Sequence, residues 1–115
     1  MRSFIYLAAA CLVLTLATLA APAPALAQDV EMTLIIKNHR FEPTELRVPA
    51  GKRIKLTVKN LDPTAEEFES LDLRREKIVA GNSEITVYIG PLKPGTYGFF
   101  GDFNQDTAQG KVIAE

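Results

Sequence analysis

Val30, Met32, Leu34 and Ile36 alternate with Glu31, Thr33, Ile35 and Lys37, and Ile54, Leu56 and Val58 alternate with Arg53, Lys55, Thr57 and Lys59. A period of two places each apolar set on one face of an extended strand, with the other face toward water. Ile85, Val87 and Ile89 predict a third strand, Tyr97 and Phe99 a fourth, and Val112 with its neighbours a fifth. Shorter candidates lie at 45–48, 67–71 and 77–80. Turn signals separate them: Pro49-Ala50-Gly51, Asn60-Leu61-Asp62-Pro63, Gly81-Asn82 and Pro94-Gly95. Short strands at such intervals predict an all-β sandwich. The chain carries no internal repeat, low-complexity tract or second domain. One segment breaks the rhythm. From Glu66 to Lys77 the chain is dense in charge, acidic first and then basic. It admits a short helix over 71–77, and its composition favours a solvated loop with internal ion pairs.

The first 27 residues read differently from the rest. Arg2 precedes an apolar run from Phe4 to Ala21, and Ala25-Leu26-Ala27 gives a small-x-small ending. A basic start, an apolar middle and that ending predict a cleaved secretory signal peptide over 1–27, with the mature, exported domain at 28–115. The competing reading is a retained anchor, since the apolar run is about long enough to span a bilayer. Cys11 sits inside the run, which argues against a lipid-modified cysteine.

Export changes the available chemistry. Cys11 is the one cysteine of the 115-residue chain, so the mature domain has neither a disulfide nor a thiolate and must fold on its hydrophobic core. The formal net charge is −1 with no basic stripe, which argues against nucleic acid as a partner. A self-sufficient hydrolase is poorly supported as well. There is no G-x-S-x-G motif and no cysteine nucleophile, and the single histidine, His39, stands far from any serine motif.

The stretches "FEPTELRVPAGKRIKLTVKNLDPT" (41–64) and "PLKPGTYGFF" (91–100) resemble the cupredoxin superfamily. "EEFESLDLRREKIV" and "IGPLKPGTYGFFGDFNQDTAQGKV" resemble one subgroup, the cupredoxin-like proteins of bacterial ferrous-iron uptake of the FtrB and EfeO-cupredoxin type. The resemblance implies a Greek-key β-sandwich. It also implies a periplasmic accessory of an iron permease, or of other inner-membrane components of iron uptake, which binds iron and assists Fe(II) oxidation or handover. Carrying the family's copper ligands over puts Gly101 at the cysteine position, Asn104 at the second histidine and the first histidine on or near Glu67, with no methionine before Gly110. Type 1 copper requires the thiolate, so it is excluded.

Oxygen donors remain. Glu67 and Glu69 stand two apart, on one face of a strand with Cα atoms about 6.5–7 Å apart, and Glu66 points the other way. The resemblance places the Glu67 region beside the last loop, where Asp102 follows the aromatic strand. Glu67, Glu69 and Asp102 are therefore the leading metal candidates, with Glu66, Glu76, Asn104, Asp106 and His39 secondary. Carboxylates suit hard cations. Iron, as Fe2+ or Fe3+, is the expected ion, Mn(II) and Ca(II) are competitors, and a copper site other than type 1 using His39 is an alternative. A metal-free interaction sandwich is the other alternative. Glu76 is expected to pair with Arg74, Arg75 or Lys77. Tyr97 is expected to make a corner hydrogen bond, Phe99, Phe100 and Phe103 to pack in the core and pole, and Arg53, Lys55 and Lys59 to form a solvated basic face.

Overall fold

A computed structural model of the protein describes residue 3, residues 10–21 and residues 28–115. The Ala25–Ala27 ending of the expected leader lies outside the described residues. Residues 10–21 carry no regular secondary structure, and no helix among the described residues is long and apolar enough to cross a membrane.

Among the described residues nine strands follow in order: β1 (Val30–Lys37), β2 (Arg40–Glu42), β3 (Glu45–Val48), β4 (Ile54–Asn60), β5 (Glu66–Ser70), β6 (Arg75–Val79), β7 (Ser83–Ile89), β8 (Gly95–Gly101) and β9 (Gln109–Ala114), with one turn of 3₁₀ helix at Asp102–Asn104 between the last two. They form a four-stranded sheet in the order β2-β1-β4-β7 and a five-stranded sheet in the order β3-β9-β8-β5-β6. The β1–β4 and β3–β9 pairs are parallel because β3 crosses to the second sheet before β4 returns to the first. This is the predicted all-β sandwich.

The period-two sets supply the core. Leu34, Ile36, Ile54, Leu56, Val58, Val87 and Ile89 line one inner face, and Leu46, Val48, Phe68, Val79, Phe99, Val112 and Ala114 line the other. Phe99 meets Phe41 edge-on at 5.0 Å between ring centroids and leans on Phe68 at 5.4 Å, the offset geometry that aromatic quadrupoles prefer. Tyr97 makes the expected corner bond, its hydroxyl donating to the carbonyl of Lys93 at 2.8 Å. The expected basic face is exposed but answered by surface acids: Arg53 pairs with Asp29, Lys55 with Glu31 and Lys59 with Glu84.

Three expectations need correction. The 71–77 segment is neither a helix nor a loop with internal ion pairs. It is a turn over 71–74 followed by β6, which pairs with β5 from Ser70–Arg75 to Glu66–Val79. Ser70 fixes the turn: its hydroxyl donates to the carbonyl of Gly98 at 2.6 Å and accepts from the amide of Leu73 at 3.0 Å, while Arg74 takes the left-handed φ of 54° that reverses the chain. The strands expected at 67–71 and 77–80 accordingly run from Glu66 to Ser70 and from Arg75 to Val79. Phe103 is half exposed and does not enter the core.

Candidate metal centre

β5 lies between β8 and β6, and its alternation decides which carboxylates can meet. Glu66, Phe68 and Ser70 face inward and are buried, while Glu67 and Glu69 face outward. Across the hairpin Glu69 stands opposite Glu76, and Glu67 opposite Ile78. On the other side Glu69 stands opposite Phe100. The outer face of the sheet thus gathers Glu67, Glu69 and Glu76, each offering a carboxylate oxygen within 4.8 Å of the others. Among the described residues none of the three is in an ion pair, so the pairing of Glu76 with Arg74, Arg75 or Lys77 does not form. Arg75 and Lys77 reach instead for the carbonyls of Tyr88 and Thr86.

Glu67 bears the electrostatic effect of this crowding. Glu67 keeps 8% of its surface exposed, and its carboxyl is pushed from 4.5 up to about 7. Burial is the chief cause, followed by the charge on Glu76, a hydrogen bond to Glu69 and the charge on Asp102. A cation among the three would relieve this repulsion with the oxygen donors that hard ions take. Asp102 therefore acts on Glu67 through its charge and is not a member of the three-oxygen group. Its Oδ1 accepts from the side-chain amide of Gln105 at 2.8 Å.

Inside the sheet Glu66 makes a different arrangement. It is 1% exposed. Its Oε1 accepts from the amides of Phe103 at 2.9 Å and Glu67 at 3.0 Å, and its Oε2 accepts from Nδ2 of Asn104 at 2.7 Å. It also lies against Gly101. The residue that meets Gly101 and Asn104, where the resemblance puts the family's cysteine and second histidine, is therefore Glu66, the neighbour of Glu67. Its parity with Phe68 is the signal that identifies it. Glycine, a primary amide and a carboxylate do not fit type 1 copper, which needs a thiolate and imidazole nitrogens.

His39 and Asp106 border an open cleft of about 600 Å³ at the same pole, together with Asp102, Asn104 and Thr107. Among the described residues His39 joins no group of three potential metal donors. Asn38 and His39 form the two-residue turn between β1 and β2, with φ of 53° and 57°. Asp62 holds that turn, its carboxylate accepting from the amides of Asn38 at 2.8 Å and His39 at 2.9 Å. These bonds, His39 first, hold the Asp62 carboxyl below its usual range against the opposing effect of burial.

The model of the cupredoxin-like domain matches residues 7–114. The chain belongs to the cupredoxin-like domain family. It is 51% identical over 84 residues to an uncharacterized protein of Rickettsia prowazekii (strain Madrid E), covering 73% of this chain and 67% of that one. Three solved structures share the cupredoxin-like fold at low identity. Auracyanin A, a blue copper protein of Chloroflexus aurantiacus, aligns with TM-score 0.66 at 17% identity over 76% of this chain and 100% of its own. The metal-binding domain of the Cu(I)-exporting P-type ATPase CopA of Streptococcus pneumoniae D39, with Cu(I), aligns at 0.65 and 12% over 79% and 91%. Amicyanin of Paracoccus versutus aligns at 0.58 and 16% over 80% and 86%. The cupredoxin-like sandwich of this chain thus carries oxygen donors at the pole and on the outer sheet, without a thiolate in either place.

Proposed function

We propose that this protein is an exported, cupredoxin-like metal-binding accessory of ferrous-iron import, which holds iron through Glu67, Glu69 and Glu76 and passes it to an iron permease. The observation that carries the reading is the convergence of three carboxylate oxygens within 4.8 Å on the outer face of one sheet. The raised carboxyl of Glu67 supports it, because the group is held in a charge environment that a cation improves. Hard anionic oxygens favour Fe(III) over Fe(II) and so ease the loss of an electron. A mononuclear oxygen site does not itself supply the acceptor for that electron, so binding and handover are assigned to this chain, and oxidation would draw on a second metal or a partner that takes the electron. Export to the periplasm rests on the basic start, the apolar run and the Ala25-Leu26-Ala27 ending.

Anaerobic calorimetric titration of the purified protein with Fe(II), and separately with Cu(II), tests the reading. One Fe(II) per chain is expected, with affinity reduced about tenfold or more in Glu67→Ala and Glu76→Ala and unchanged in His39→Ala. Absence of Fe(II) binding, or equal affinity in Glu76→Ala, overturns it. Copper binding that His39→Ala abolishes and Glu76→Ala leaves intact supports the copper alternative.

A further inference from the structure

We propose that Glu66 takes the structural place of a metal ion at the pole of the sandwich, so that the 102–107 loop is organised without metal and the pole accepts no copper. A cation at such a position gathers lone pairs. Glu66 gathers protons: among the described residues every hydrogen-bonding group directed at its carboxylate is an N–H, from Glu67 beside it and from Phe103 and Asn104 in the loop. The polarity of the pole is therefore the inverse of a cation site. Asn104 presents Nδ2 inward rather than its carbonyl oxygen. A cation there would have to displace all three hydrogen bonds and turn the amide around.

Space leads to the same conclusion. A Cβ at position 101 would come within 2.6 Å of Cδ of Glu66 and 2.7 Å of Cβ of Ala108, so the volume where a ligand side chain at 101 would stand is filled by Glu66 itself. Among the described residues no buried side-chain nitrogen or oxygen lacks a hydrogen-bond partner, so no orphaned donor atom is directed at a vacancy that an ion would satisfy. The loop is closed by its own bonds as well. The amide of Gly101 donates to the carbonyl of Ala108 at 2.8 Å, and the amide of Ala108 to that of Asn104 at 2.8 Å. Glu66 links this closed loop to β5 across 37 and 38 residues of sequence, as a metal ion would link two distant segments.

The test has two arms, both on the purified protein after treatment with a chelator. In the first, amide hydrogen exchange is followed by NMR. Phe103 is expected to be protected without metal. In Glu66→Ala its exchange should accelerate about tenfold more than that of the core amide of Leu56, because its acceptor is gone. Should Glu66→Ala fail to fold, Glu66→Gln serves, since it keeps a single acceptor oxygen for three donors and should give a smaller acceleration at Phe103. An unprotected Phe103 amide in the chelated wild type, or parallel acceleration of Phe103 and Leu56 in the variants, overturns the proposal. In the second arm Cu(II), then Cu(I), is added to Glu76→Ala, in which the three-carboxylate group of the outer face is reduced to Glu67 and Glu69. An unchanged Tm is the expected result. A rise in Tm that Asn104→Ala removes shows that the pole takes copper, and the proposal falls.

Discussion

The carboxyl group of Glu66 stands where a side chain at position 101 would have to be, 2.6 Å from the Cβ that Gly101 lacks. The backbone of Gly101 is extended, with φ of −94° and ψ of 110°, so conformational freedom does not require glycine there. Space requires it. Gly101→Ala is expected to destabilise the protein by about 1–3 kcal/mol through overpacking, read as a lower urea midpoint at unchanged slope. The loss should shrink in a Glu66→Ala background, because contacting residues couple. Equal losses in both backgrounds would show that Ala108, the other close neighbour, carries the whole clash.

Glu67 imposes a pH dependence whose sign is fixed. Its folded-state carboxyl titrates at about 7 against 4.5 unperturbed, so the folded protein holds the proton that the unfolded chain has released. The contribution is fully present below about 4.5 and is lost as pH rises through about 7. Chemical denaturation of the metal-free protein should therefore give lower stability at pH 8 than at pH 5, and Glu67→Gln should flatten the difference. Because a cation must displace the same proton, apparent Fe(II) affinity should climb as pH approaches 7 and then level off. A slope of the opposite sign in the wild type would remove Glu67 as its source.

What the sequence made legible follows from which residues carry a periodic signal. β1, β4 and β7 each have one wet face, and their alternation reads directly into the observed burial. β6 sits at a sheet edge, and Arg75 and Lys77 share its inward parity with Val79, so charge and apolarity mix on one face and the period vanishes. In the sequence Glu76 stands beside three basic residues that invite it into ion pairs, whereas its true place beside Glu69 depends on hairpin register, which the four-residue turn and the left-handed Arg74 decide. Glu66 and Glu67 are adjacent and chemically identical, and only the parity of Phe68 separates the pole from the outer face.

Asp62 controls the opposite pH limit. Its carboxylate holds the amides of Asn38 and His39 in a turn where both residues take left-handed φ without being glycine. Its folded-state value lies below the usual 3.8, so its contribution is present above about 3.8 and is lost as pH falls through the depressed value. Asp62→Ala leaves two amide donors without their acceptor, and a loss of about 1–3 kcal/mol is expected at pH 7. The wild-type advantage over Asp62→Ala should narrow in acid-titrated denaturation below pH about 3.8. An advantage that stays constant to the lowest pH would mean that packing alone, and not the charged acceptor, makes the difference.

Arg75 and Lys77 join the free edges of the two sheets. β6 ends the five-stranded sheet and β7 ends the four-stranded one. The Arg75 Nε donates to the carbonyl of Tyr88 at 2.8 Å, and the Lys77 Nζ to that of Thr86 at 3.1 Å. Both carbonyls belong to the unpaired side of β7, where an unprotected strand would invite another chain to pair. Charged side chains directed inward from an edge strand block that addition and close the sandwich along one side. Arg75→Ala with Lys77→Ala should leave β7 open, and concentration-dependent self-association should appear in sedimentation velocity beyond that of the wild type. Each substitution alone should have a smaller effect, since one bonded carbonyl still interrupts the edge. A double variant that sediments like the wild type at every concentration would show that the twist of β7 protects the edge by itself.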